Sequence, residues 1–346
     1  MYRTISVVLI TRNQAWNIER LIESVLEHVP ADCVSQIVLV DSASADETIT
    51  IARRFPVEII RLPETQRLTA ALGRYVGFNH TTGDYVLFLD GDMELLPGWL
   101  EQALPALEVD SCIAAISGQV IDCPLDSTPA TIAALAKHTD STEAHNARPV
   151  DVPHGGGAAL YRRAVLDLVG PFNPQLYSDE EPELCLRIRS AGFRVVRLER
   201  PFVYHYSDPR QRITTLLRRR RRRLYLGFGQ NIRLHLRDSL LAPYIRERGF
   251  GLLPGLLLII ALGSLAVAPP KHRRAWETGW LLVGGTGLTV DAVRRGSLYA
   301  SVFAFIQKLI ILEGTVRGFF LPTLPLYDFQ PQIEFVQITS RDGEEQ

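Results

Sequence analysis

The run Tyr85-Val86-Leu87-Phe88-Leu89-Asp90-Gly91-Asp92 constrains this chain more than any other stretch, because an apolar segment ends in two carboxylates separated by one glycine. Bounded by Gly83-Asp84 and Gly91, it is too short for a helix and reads as a strand buried on both faces. Acids at the carboxyl end of such a strand sit where open α/β sheets bind their ligands. Gly91 permits a tight turn, and Asp90 and Asp92 offer hard oxygen ligands suited to Mg²⁺ or Mn²⁺. Asp-Gly-Asp is also an ordinary turn sequence, so the rest of the chain decides between the two readings.

The first half alternates strand and helix patterns. Ile5 to Ile10 is a β-branched strand ending at Thr11-Arg12-Asn13. Ile18, Leu21, Ile22, Val25 and Leu26 recur at helical spacing up to Pro30. Gln36 to Val40 is a second buried strand, followed by Asp41-Ser42-Ala43-Ser44-Ala45-Asp46, in which Ser44 or Asp46 caps the next helix. Val57 to Arg61 is a third strand and Leu68 to His80 a helix. This alternation implies right-handed βαβ units and a mostly parallel sheet, with the loops at Thr11, Asp41 and Asp90 along one edge. Beyond it come a strand at Cys112 to Gly118, a polar stretch at Asp126 to Pro149, and His154-Gly155-Gly156-Gly157, whose glycines allow close backbone approach to a ligand.

These four motifs in this order, Thr11-Arg12-Asn13, Val40 to Thr48, Arg74 with Gly77, and Gly83 to Asp92, resemble the nucleotide-sugar half of the family 2 glycosyltransferases through about residue 208. The resemblance implies an α/β, Rossmann-like GT-A fold with a mixed, mostly parallel sheet flanked by helices. It places Thr11 and Asp41 at the nucleobase and ribose, Arg74 near base or phosphate, Asp90 at the ribose or metal, Asp92 on the metal, and Gly156 beside the donor sugar. Ser42 stands where many relatives carry a second acid. In Asp179-Glu180-Glu181-Pro182-Glu183-Leu184, a helix start that also satisfies helix-dipole preferences, the resemblance assigns Glu181 as catalytic base with Glu180 as runner-up. Glu183 orients its neighbours through Arg187. His205, at the end of an apolar edge strand, corresponds to a late histidine that completes the metal site. The expected activity is inverting, metal-dependent sugar transfer from a nucleotide-diphosphate sugar. The alternatives are a nucleotidyltransferase, for which Thr11-Arg12-Asn13 lacks a triphosphate-binding loop, and a non-catalytic membrane scaffold.

The second half differs in kind. Hydrophobic residues make up 47% of the chain and mean hydropathy is +0.06, but the apolar content is concentrated late. An unbroken arginine run, Arg218 to Arg223, precedes a basic amphipathic stretch. Then follow the charge-free Leu252 to Ala268, a weak segment at Trp280 to Val293, and an apolar stretch at Tyr299 to Leu321. No nucleic-acid module surrounds the arginines, and cations before apolar helices suit an anionic leaflet, so nucleic acid is not an expected partner. Basic clusters flank both ends of the weak segment, the positive-inside rule selects no single topology, and interfacial or re-entrant helices fit as well as three full spans. The expected organisation is a GT-A domain over 1–210, amphipathic juxtamembrane helices over 211–250, two or three hydrophobic membrane helices over 251–322, and a tail over 323–346. The acceptor is then lipid-linked or a saccharide at the cytoplasmic face of the membrane, with anionic lipids as partners. The four cysteines lack metal-like pairing, and no cleavable leader opens the chain.

Overall fold

The computed structural model describes residues 4–30, 33–125, 127, 148–207, 212–322 and 329–338. The chain forms two units, one comprising Met1–Asp208 with Thr323–Gln346 and the other Pro209–Pro322.

The first unit is built on β1 (Ile5–Thr11), β2 (Val34–Asp41), β3 (Glu58–Arg61), β4 (Tyr85–Asp90), β5 (Met93–Leu95), β6 (Ile113–Pro124), β7 (Val150–Asp151), β8 (Ala159–Arg162), β9 (Arg194–Ser207) and β10 (Glu334–Gln337). They form one sheet in the order β10-β3-β2-β1-β4-β8-β6-β9-β5, with β7 beside β9. The block β3-β2-β1-β4 is parallel, β8 runs antiparallel to β4 and β6, and β6 is parallel to β9. Every residue of β1 is buried, because alternate side chains enter different cores. Val7 and Leu9 pack with Leu21 and Ile22 of α1 (Ile18–His28). Val8 and Ile10 pack with Leu72 and Val76 of α3 (Ala70–Asn79). Helix α2 (Thr48–Ala52) follows β2, and α4 (Leu100–Val109) leads into β6. Helix α5 (Arg163–Val169) precedes α6 (Glu180–Ser190), whose Leu184 and Ile188 join the second core.

Two features depart from the sequence expectation. Val195-Val196 and Phe202 to His205 belong to one long strand, β9, which is no edge: β5 covers its far end through Met93 opposite His205. Within the stretch 323–346, expected as a tail, Glu334–Gln337 is instead a strand of the sheet, because β10 pairs antiparallel with β3, Phe335 opposite Ile60. The stretch expected to be irregular, Asp126 to Pro149, falls mostly outside the described residues.

The second unit contains α7 (Ile213–Arg221), α8 (Gly227–Leu234), α9 (Leu241–Arg248), a 3₁₀ turn (Gly249–Leu252), α10 (Leu253–Val267), α11 (Arg273–Arg295) and α12 (Leu298–Phe319). Its tightest packing lies where α8 and the turn before it meet α12. A Cβ on Gly229 would lie 1.9 Å from the Thr315 carbonyl oxygen, and one on Gly318 would lie 2.0 Å from that of Leu226. Among the described residues two helical stretches, Leu241–Val267 and Leu298–Phe319, are long and apolar enough to cross a membrane. Only 11% and 22% of their most apolar windows are buried within the protein.

Candidate active site

Parallel pairing brings the expected loops to one edge of the sheet. Thr11 lies opposite Asp41 and Ile10 opposite Asp90. Gly91 is required where β4 turns, since a Cβ there would sit 2.8 Å from Thr11 Oγ1 and 2.9 Å from Gln14 Cγ. The buried Asn17 side chain clamps the same turn, its Nδ2 donating to the carbonyl oxygens of Gly91 at 3.0 Å and Met93 at 2.8 Å. The Asp90-Gly91-Asp92 turn is thereby held by β1, α1 and β5 together.

The loops after β1 and β2 are stitched to one another. Asn13 donates from its backbone N–H to Ser44 Oγ at 2.7 Å and accepts from the Ala45 N–H at 2.8 Å. Asp41, fully buried, accepts from the Ser44 N–H at 2.8 Å and from the Ser44 hydroxyl. Burial raises its pKa against these hydrogen bonds. The N-cap of α2 is Glu47, one residue after the expected Asp46, whose carboxylate accepts from the Thr48 N–H at 3.1 Å. The other oxygen of Asp46 takes the Ala15 N–H at 3.0 Å. The Thr11 hydroxyl is buried without a hydrogen-bond partner among the described residues. A buried polar group of this kind is one a bound ligand would satisfy.

Arg74, which the resemblance sets near base or phosphate, is 1% exposed, and its guanidinium gathers three carboxylates: Asp90 at 2.7 Å, Glu180 at 2.6 Å and Glu181 at 3.2 Å. It also donates to the Gly157 carbonyl oxygen at 3.3 Å. Helix α3 can lie close enough to β1 for this because Gly77 and Gly73 face it, a Cβ on Gly77 falling 2.2 Å from Val8 Cγ1. Burial opposes the charge on Arg74, but Asp90, Glu181 and Glu180 outweigh it and raise its pKa. The same burial, with Glu181 adding repulsion, pushes Glu180 up to about 8 despite Arg74. Asp90 is likewise raised, by burial first and by Asp92 and Glu181 against Arg74. Three acids on one cation leave the cluster with two negative charges in excess unless protons are held, which together with burial is the physical origin of these shifts.

The two candidate bases are not equivalent. Glu180 is nearly enclosed, its side chain 6% exposed, whereas that of Glu181 is 18% exposed. Helix α6 begins at Asp179 with φ of 59°. Glu183 is tied to Arg187 by bonds of 2.7 and 2.8 Å. Arg187 in turn donates to the carbonyl oxygens of Val169, Gly170 and Pro171, anchoring α6 to the end of α5.

His205 Nε2 is 3.6 Å from Asp92 Oδ2, and its Nδ1 is 2.7 Å from Asp122 Oδ1. Asp122 was not singled out by sequence. It reaches His205 because β6 and β9 pair in parallel with these two residues in register. Burial disfavours the imidazolium, yet Asp92 and Asp122 outweigh it and push His205 up to about 9. The donor set fits a divalent cation in part. A carboxylate on one imidazole nitrogen fixes the tautomer that presents the other as ligand. Asp92 and His205 then supply two donors, and Asp90 keeps one oxygen beside Gly157 while the other holds Arg74. No group of three metal-ligating side chains is assembled among the described residues. That suits Mg²⁺ or Mn²⁺, which take one or two carboxylates and complete their shell with phosphate oxygens and water.

Gly156 adopts φ of 84°, with open space where a side chain would point. It borders a cavity of about 610 Å³ lined by Ser117 to Ile121, His154, Gly155 and Arg197. The cavity lies between the glycine loop and the start of the long β6–β9 pair.

Comparison with known proteins bears on this arrangement directly. The family model of Glycosyl transferase family 2 matches residues 6–170, from β1 through the glycine loop and α5. Residues 6–170 thus carry a family 2 glycosyltransferase domain. Among solved structures, the chain superposes on S. aureus TarS with a TM-score of 0.51 at 16% identity, covering 91% of this chain and 92% of that one. With a mannosyltransferase from Pyrobaculum calidifontis the TM-score is 0.54 at 21% identity, covering 89% and 88%. These likenesses establish the GT-A fold. Among curated sequences, a probable N-acetylgalactosaminyltransferase 7 from Caenorhabditis elegans is 28% identical over 228 residues, 56% of this chain and 37% of the relative. A pre-mycofactocin glycosyltransferase from Mycobacterium tuberculosis is 26% identical over 288 residues, 79% of this chain and 57% of the relative. The chain thus spans less than two thirds of the length of either.

Proposed function

We propose that this glycosyltransferase moves a sugar from a nucleotide-diphosphate sugar to an acceptor hydroxyl with inversion at the anomeric carbon. The observation that carries the reading is the meeting of two acid pairs, Asp90 with Asp92 and Glu180 with Glu181, around Arg74 at the ligand edge of the sheet. Thr11 and Asp41 line the nucleoside side of that edge, where the unsatisfied Thr11 hydroxyl is available to the donor. Glu181, the more open of its pair, takes the proton from the acceptor hydroxyl as the new bond to the anomeric carbon forms and the bond to the diphosphate breaks. A general base in this position contributes about 10²–10⁴-fold. A single base opposite the leaving group gives one displacement and hence inversion.

Asp92 and His205, with the free oxygen of Asp90, would hold Mg²⁺ or Mn²⁺, which would supply Lewis-acid stabilisation to the departing nucleoside diphosphate. Asp122 keeps His205 in the orientation this requires. Arg74, on this reading, does not contact the base. It fixes Asp90 and both glutamates relative to one another.

The acceptor is lipid-linked or a saccharide held at the cytoplasmic face of a membrane. Support comes from the second unit, in which exposed arginines precede exposed apolar helices. Partners are then the nucleotide sugar, the acceptor and anionic lipids. Release of nucleoside diphosphate from a panel of nucleotide sugars, with and without Mn²⁺, tests the reading; no turnover or stabilisation with any donor would refute it.

A further inference from the structure

We infer that the helical unit enters a single leaflet from one face, without crossing the bilayer, and that its partner there is a surface of anionic lipid. This rests on the membrane reading above. The chain leaves the first unit after Ser207 and returns to it at β10, which is paired with β3 in the same sheet. Both ends of the helical unit therefore lie on one side of any bilayer, and the number of crossings is even. Three spans by α10, α11 and α12 are excluded.

Two crossings would have to go out along α10 and return along α11 or α12. The outward leg has the length, since Gly249 to Ala268 is charge-free. Both return legs are poor. Helix α11 carries Glu277 and Asp291 and is interrupted by Gly279, Gly284, Gly285 and Gly287, all beside open space. Helix α12 carries Lys308 half-way along, beside the same cavity as Asp291 of α11, whose charge it feels. A lysine at the centre of a bilayer is costly even on the most lenient scale. The last turns of α12 are polar as well. Glu313 pairs with Arg220 of α7 at 3.1 Å and with Arg317 at 3.0 Å, and Gly314 and Gly318 bring its backbone against Tyr225 and Leu226.

Charge selects the remaining option. A return along α11 would strand Lys271, Arg273 and Arg274 on the far side, and a return along α12 would add Arg294 and Arg295. Without a crossing, all of them share the face of Arg218 to Arg223, which are exposed, and each is attracted to an anionic leaflet. Lys308 then reaches the headgroups instead of the bilayer centre. The cavity of about 530 Å³ among α10, α11 and α12, walled by Leu257, Leu258, Trp280, Leu281 and Phe305 with Lys308 beside them, accepts acyl chains of that same leaflet.

The test is sided labelling of the full chain in right-side-out and inside-out membrane vesicles with a membrane-impermeant maleimide, read by peptide mapping. Cys112, an exposed thiol of the first unit, reports the side of the sheet. His272→Cys and Arg294→Cys, both at exposed positions, report the two ends of α11. The expected result is that both reporters label from the same face as Cys112. Labelling of either from the opposite face, or of either only after detergent is added, overturns the inference. A chain absent from washed vesicles overturns it too, and refutes the membrane reading itself while leaving the sugar-transfer chemistry to the donor assay.

Discussion

The two units treat apolar side chains in opposite ways. In the sheet unit Leu87, Leu89, Val7 and Leu9 are fully buried against one another and against α1. In the helical unit Leu281 is 75% exposed and Leu262 59% exposed. The first unit completes its own core. The second leaves its apolar surface to its surroundings, and its internal order comes from glycine-mediated backbone contact and from the Arg220–Glu313–Arg317 ion pairs. An exposed apolar surface of this extent marks an interaction site. The polar interior of the first unit, by contrast, is an ion cluster that the fold has enclosed.

That contrast is open to measurement. Arg74→Ala leaves three carboxylates without their cation and should destabilise the protein by about 3–5 kcal/mol, as removal of one partner from a buried ion pair does. Chemical denaturation reads the loss, and adding Glu180→Gln should recover part of it. An Arg74→Ala protein of unchanged stability would mean that the cluster is not closed. Leu87→Ala in the sheet should cost about 2–5 kcal/mol through transfer and cavity terms. In the other unit, Gly229→Ala places a methyl against the Thr315 backbone and should cost about 1–3 kcal/mol by overpacking, seen as loosened hydrogen exchange in α8 and α12.

A smaller effect concerns pH. Glu180 is raised above its ordinary 4.5 to about 8, so the folded state holds its proton more tightly than the unfolded chain. The stability from that proton is complete below the unfolded value and is lost as pH rises through the folded one. Stability should therefore fall between about pH 5 and 8 with a slope approaching ~1.4 kcal/mol per pH unit, and Glu180→Gln should flatten the decline. The smallest effect is the most diagnostic of the comparison. Leu281→Ala should change stability in detergent by no more than about 0.5 kcal/mol, as surface substitutions do. A loss comparable with that of Leu87→Ala would show that α11 is buried.

Much of the sheet unit was legible in sequence because period and punctuation agree there. Tyr85 to Leu89 could be little other than a buried strand, and the Glu183–Arg187 spacing foretold the pair that anchors α6. The carboxylate partners of Arg74 were not legible, because Glu180 and Glu181 lie far away in the chain. The signal for its burial was the pair Gly73 and Gly77, which marks the side of α3 pressed against β1 and turns the neighbouring arginine inward. Asp122 and β10 went unseen for the same reason. Their partners, His205 and Ile60, lie far away in the chain, and only strand register brings them together. Local pattern carries no record of such pairings.

The central claim is that the acid cluster around Arg74 performs sugar transfer with Glu181 as base. The direct test is steady-state release of nucleoside diphosphate by the wild-type chain and by Glu181→Gln, with donor affinity measured in parallel by calorimetry. The account predicts that the variant binds donor normally and loses about 10²–10⁴-fold in kcat, while Glu180→Gln, enclosed against Arg74, loses less. Full turnover by Glu181→Gln with normal donor binding would contradict it.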